Sequence, residues 1–143
     1  MTVDWLNRMN AAVLPAIRAT NPTRNVLFGG LKYMNPKWVV QNPDAMLFPS
    51  NDSHILLEVH SYDPYSFCGM TIGKVTHAWS PESIDSWADA LEAWASKRSM
   101  SVLLGEFGCN NTQARPRASR IYTNRHGLAA RSPTHLAMSL IAS

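Results

Sequence analysis

Three short apolar runs, each closed by polar or turn residues, set the rhythm of the chain: Val26-Leu27-Phe28, Ile55-Leu56-Leu57-Glu58-Val59 and Val102-Leu103-Leu104. Runs of this length predict strands buried in a parallel sheet. Between them the spacing changes to the helical period. Thr2 can cap a helix reaching about Ala19, with Trp5, Met9, Val13 and Ile17 at steps of four as the expected buried stripe. Pro15 falls inside that helix and removes one backbone donor. Asn21-Pro22-Thr23 then turns the chain into the first strand, and a short helix is expected over 36–42, carrying Trp38. Ser80-Pro81-Glu82 supplies the cap, the first-position proline and the early acid of a further helix. Ile84, Trp87, Ala88, Leu91, Trp94 and Ala95 follow its i, i+3, i+4 pattern, so both tryptophans are expected in the core. Strands alternating with helices give an α/β class with a parallel sheet.

Beyond Asn111 this grammar stops. Arg115-Pro116-Arg117 and Arg131-Ser132-Pro133 break any helical pattern, and Leu136 to Ala142 is a short apolar end with no strand expected at a site. The reading is therefore one α/β unit over 1–112 and an irregular, basic tail over 113–143. Charge follows the same division. All ten Asp and Glu lie at or before Glu106, beside eight Lys and Arg, whereas five Arg and no acid follow it, so the formal net charge of +3 belongs to the tail. A basic block can bind nucleic acid, but this one holds no Lys and one aromatic, Tyr122, so a solvated tail and no nucleic-acid partner are expected.

At 143 residues the chain suits one ordinary domain. No apolar run approaches the ~20 residues of a membrane span, and Met1-Thr2-Val3-Asp4 is not the start of a signal peptide, so no membrane partner is expected. Two cysteines, Cys68 and Cys109, make no disulfide framework; both follow strand exits, and free thiols are expected. No zinc spacing or Gly-rich phosphate loop occurs, so no cofactor is expected.

The chemistry sits where the strands end. Glu106 stands between Gly105 and Gly108, and simple alternation puts Val102, Leu104 and Glu106 on one face, with the acid topping a column of core side chains. His60 and Tyr62 share a face of the strand before it. Glu58 shares that face but lies ~6.6 Å further down the strand, and Asp63 points the other way. The loop over 31–53 holds Tyr33, Asn35, Trp38 and Phe48, and the loop over 65–79 holds Phe67, His77 and Trp79. Flat rings on such loops suit the apolar face of a sugar, which makes Tyr33, Asn35, Trp38 and Trp79 candidate substrate contacts. Phe48 is expected to pack its loop onto the scaffold, and His77 to be a surface residue.

Taken together, His60-Ser61-Tyr62-Asp63-Pro64 and Gly105-Glu106-Phe107-Gly108, preceded by Ile17-Arg18, Asn21-Pro22 and Asn25 to Gly30, resemble glycoside hydrolase family five, the cellulase-like clan of TIM barrels. The resemblance covers about residues 2 to 112. It implies a partial (β/α)8 barrel, about strands five to seven with their helices, because a whole barrel takes about 200 residues or more. It also implies retaining hydrolysis of a β-glycosidic bond in a glucan-type polysaccharide or oligosaccharide, with Glu106 as nucleophile, Tyr62 orienting it and His60 beside the scissile sugar. The family's acid/base glutamate follows an asparagine, and this sequence has no Asn-Glu dipeptide; nor does 114–143 hold the tryptophan that lies under the sugar. The chain alone is therefore expected to be inactive and to self-associate through exposed sheet edges. The family is usually secreted. Two other readings stand beside this one: a non-catalytic carbohydrate-binding remnant, and an interaction protein acting through its arginine-rich tail.

Overall fold

A computed structural model describes residues 1–68, 82–108 and 136–138. Its centre is a four-stranded parallel sheet in the order β1-β2-β3-β4, formed by Val26–Gly29, Ile55–Ser61, Ser101–Phe107 and Leu136–Met138. Neighbours in sequence are neighbours in the sheet, as expected when each strand returns beside the last through a crossover. All four carboxyl ends therefore reach one edge. The tail is not wholly irregular: Leu136–Met138 pairs with Val102–Leu104, so the short apolar end supplies a strand where none was expected. Three apolar or small residues can complete a ladder although they carry no periodic signal of their own. The arginine-rich stretch before it lies outside the described residues.

Helix α1 (Val3–Thr20) starts where the sequence places it, with the Thr2 hydroxyl accepting from Trp5 N at 3.3 Å. The face it buries differs from the expected stripe. Leu6 and Leu14 are buried, while Trp5, Met9 and Val13 are 47%, 37% and 49% exposed. Steps of four overshoot the helical repeat by about 40° each, so such a stripe winds away from a straight contact. The inward face is instead fixed by polar groups. Asn7 donates to Ala45 O and accepts from Leu47 N, and Arg18 makes two contacts to the Asp52 carboxylate at 2.7 and 3.2 Å. Pro15 is exposed, and so is Ala11, whose carbonyl loses its partner to the proline.

Between β1 and β2 lie a short turn, α2 (Leu31–Met34), and α3 (Pro36–Gln41). After β2 come α4 (Tyr65–Cys68) and α5 (Glu82–Lys97). Phe28, Val39, Ile55, Leu57, Val59, Ile84, Leu91, Val102 and Leu104 form the core between the sheet and these helices, with Trp87 and Trp94 in it as expected. Trp94 donates to Pro43 O at 2.9 Å and meets Phe48 edge-on, and Phe48 stacks on Phe28. Phe48 thus packs its loop down, as its sequence setting suggests. The other sheet face is less covered: Leu27 is 42% exposed. Cys68 is buried and disulfide-bonded, not free. The one other cysteine, Cys109, lies outside the described residues; the two follow β2 and β3 exits that share an edge, which is the physical reason that a bond is accessible.

Candidate active site

The polar groups converge at the carboxyl edge of β2 and β3, and an irregularity in their pairing brings them together. Leu57 pairs with Val102 and Val59 with Leu104, but the next pair is His60 with Glu106. Gly105 is the extra residue. The slip reverses the expected face of Glu106, because paired residues of parallel strands project the same way. Glu106 leaves the Val102-Leu104 column, which faces the helices, and joins His60 on the opposite face. Bulges of this kind re-aim side chains beside functional sites. Simple alternation missed it because a glycine carries no apolar signal to mark the slip.

The resulting cluster is compact. Tyr62 Oη donates to Glu106 Oε2 at 3.0 Å, and His60 Nδ1 lies 3.2 Å from the same oxygen. On the other edge of the ring, His60 Nε2 is 3.3 Å from Glu58 Oε1. The Glu106 side chain remains 54% exposed, while that of His60 is only 16% exposed, so the acid faces the open edge and the imidazole is enclosed beneath it. The backbone spacing alone puts Glu58 too low to take part. Its side chain climbs across β3 at Gly105, where an added Cβ would fall on Glu58 Oε1. Asp63 turns away as expected and pairs with Lys37 of α3 at 3.0 Å.

Burial lifts the Tyr62 phenol above its ordinary value of 10.0, and donation to Glu106 with the nearby negative charge acts in the same direction. Tyr62 therefore keeps its proton and serves Glu106 as a donor throughout the neutral range. A folded-state value raised above the unfolded one stabilises the protein fully below about 10, and the contribution fades as pH rises through the folded value. In an alkaline absorbance titration, a phenol titrating above about 10 should vanish in Tyr62→Phe; an unchanged curve would contradict the Tyr62–Glu106 bond.

The sequence-derived sugar contacts fall into different settings. Tyr33 is 95% exposed on α2, where Lys32, Tyr33 and Met34 all have φ between 55° and 60°. Left-handed backbone costs roughly 1–2 kcal/mol per non-glycine residue, so the ring is held out by a strained turn. Asn35 caps α3, accepting from Lys37 N at 2.8 Å. Trp38 is partly buried against the core, with its ring over Gly30. Trp79 and His77 lie outside the described residues. A separate cleft of about 790 Å³ opens at the amino edge, by Phe48, Ile55 and Met100. Its acids Asp44 and Asp52 are paired with Arg98 and Arg18, and the Arg18 guanidinium holds the Asp52 carboxyl below its ordinary value. That cleft is at the wrong end of the sheet for the chemistry described here. Among the described residues, no group of three or more His, Cys, Asp or Glu is placed to hold a metal ion, and no helix is long and apolar enough to cross a membrane.

A parallel sheet with an acid, a histidine and a tyrosine gathered at its carboxyl edge is the arrangement of an α/β-barrel enzyme. The chain belongs to the cellulase family, glycosyl hydrolase family 5, whose model matches residues 1–135. It is 30% identical over 115 residues to endoglucanase H of Acetivibrio thermocellus, a match covering 75% of this chain and 11% of that protein. In fold it resembles the cellulose synthase subunit Z of Clostridioides difficile, with a TM-score of 0.75 and 24% identity over 99% of this chain and 50% of that one. It equally resembles a hyperthermophilic endo-β-1,4-glucanase solved with substrate, with a TM-score of 0.76 and 23% identity over 99% of this chain and 48% of that one. The chain thus spans about half the length of these solved structures and a smaller share of the curated relatives it matches, and its fold is a portion of the TIM barrel.

Proposed function

We propose that this edge is one half of a retaining β-glycosidase centre in which Glu106 attacks the anomeric carbon. The observation that carries the reading is the shared Glu106 Oε2: Tyr62 Oη at 3.0 Å and His60 Nδ1 at 3.2 Å both meet it. Two groups on one oxygen hold the carboxylate in a single orientation, and they leave Oε1 to reach a sugar at the open edge. A nucleophile needs such orientation more than basicity, because a misplaced attacking atom forfeits most of the advantage of being bound. His60 and Tyr62 are positioning groups for the acid. The exposed ring of Tyr33 is a sugar platform, with Asn35 and Trp38 as further substrate contacts beside it; Trp79, outside the described residues, is a fourth candidate contact.

The substrate class is a β-1,4-linked glucan or its oligosaccharides, a reading supported by the endoglucanase relatives. Retaining chemistry needs a second carboxyl group about 5–5.5 Å from the nucleophile to protonate the leaving oxygen. Glu58 is turned onto His60 and Asp63 onto Lys37, so neither is offered to the glycosidic oxygen, and the chain alone is a catalytically incomplete half. Substrates whose leaving group needs no proton expose the half that is present. A dinitrophenyl β-cellobioside should release dinitrophenolate slowly with this chain, and Glu106→Gln should remove that release. Equal release by the variant would overturn the assignment. A second reading rests on Tyr33 alone: retention on insoluble cellulose without any release from the activated substrate would favour a carbohydrate-binding role.

A further inference from the structure

The proposed chemistry does not use Glu58, yet the structure gives this acid a specific place. Glu58 lies on the sheet face opposite the helices. Here the Glu58 side chain is 22% exposed and lies across the neighbouring strand, with Oε1 3.3 Å from His60 Nε2. It can do so only because residue 105 has no side chain, since a Cβ there would occupy the position of Oε1. The imidazole is consequently met on both edges, by Glu58 at Nε2 and by Glu106 at Nδ1, 3.2 Å away. The partner at Nε2 therefore fixes the rotation of the ring, and with it the direction in which Nδ1 points.

We infer that Glu58 is a positioning residue for the glycosidic site: seated in the gap left by Gly105, it holds His60 at Nε2 and so fixes the ring rotation that aims Nδ1 at Glu106. The assignment rests on the reading of Glu106 as nucleophile for its catalytic meaning, but the Glu58–His60 link stands on geometry alone. Gly105 then has two linked purposes. It is the extra residue that turns Glu106 toward His60, and it clears the space from which Glu58 orients that histidine. The two acids and the imidazole form a chain, Glu58–His60–Glu106, with Tyr62 donating to the same Glu106 oxygen that His60 faces.

The test is nitrogen NMR of the histidine ring in the full chain, recorded by magic-angle spinning so that self-association does not interfere. The His60 signals are identified by their loss in His60→Gln. Glu58→Gln, which keeps a polar partner for Nε2, should leave the Nε2 signal close to that of the parent chain, whereas Glu58→Ala should change it. Gly105→Ala should reproduce the Glu58→Ala spectrum, because the methyl takes the carboxylate's place. A His60 Nε2 signal identical in the parent chain and Glu58→Ala overturns the proposal, and this holds whether or not Gly105→Ala folds. In parallel, labelling of Glu106 by a fluorinated activated glycoside should slow about 10- to 100-fold in Glu58→Ala and recover in Glu58→Gln. Failure of the parent chain to be labelled would count against Glu106 as nucleophile, and the ring spectra would still decide the Glu58–His60 link.

Discussion

Polymeric β-glucan should resist the purified 143-residue chain, with turnover depressed by at least the ~10²–10⁴-fold that general acid assistance is typically worth. The depression follows from where each carboxylate goes. Glu106 is held by Tyr62 and His60, Glu58 is committed to His60, and Asp63 is paired with Lys37. No carboxyl among the described residues is left over at this edge to protonate a sugar alkoxide, which is a poor leaving group. A dinitrophenolate leaves without help, so the gap between activated and natural substrates should be far wider than for a complete barrel. Reducing-sugar release from soluble glucan measures it. Robust polymer hydrolysis would show that an acid has been supplied from this chain after all, and the incomplete-site reading would fail.

Self-association is the second large effect, and its source is visible on the surface. Trp5, Met9 and Val13 form an exposed apolar ridge on α1, and Leu27 is exposed on the far side of the sheet. In the sheet described, β1 and β4 each have a neighbour on one side only, and an open strand edge is a template for another chain. We therefore expect assemblies larger than a monomer in sedimentation velocity. Covering one large apolar side chain is worth roughly 1.5–3 kcal/mol, so Trp5→Gln should weaken an association through the α1 ridge roughly 10- to 100-fold. A single sharp monomer boundary with cooperative thermal unfolding would contradict the expectation.

Much of this architecture is legible in the sequence because parallel strands and long amphipathic helices leave strong local patterns. Ile55 to Val59 and Val102 to Leu104 could hardly be anything but buried strands, and the tryptophans of α5 declare their face by spacing. Thr2 marks the start of α1 by simple capping chemistry. What local pattern misses is decided between elements. The ridge of α1 reads as buried until Asn7 and Arg18 are seen to anchor another face to Ala45, Leu47 and Asp52. The face of Glu106 depends on a one-residue slip at Gly105 that only the partner strand reveals. Strand rise alone places Glu58 too deep, because its reach depends on side-chain length and on the empty space at Gly105. β4 and the Cys68 disulfide likewise depend on partners distant in sequence, which no periodicity reports.

The central claim is that Glu106 is the nucleophile, and covalent trapping tests it most directly. A fluorinated sugar with an activated leaving group slows breakdown of a glycosyl-enzyme more than its formation, so the attacking residue keeps the label. After incubation of the chain with such a β-glucoside and proteolysis, mass spectrometry should find one sugar on the peptide containing Glu106, and none when Glu106→Gln is treated identically. Label on Glu58 or Asp63, or label that persists in Glu106→Gln, would contradict the account.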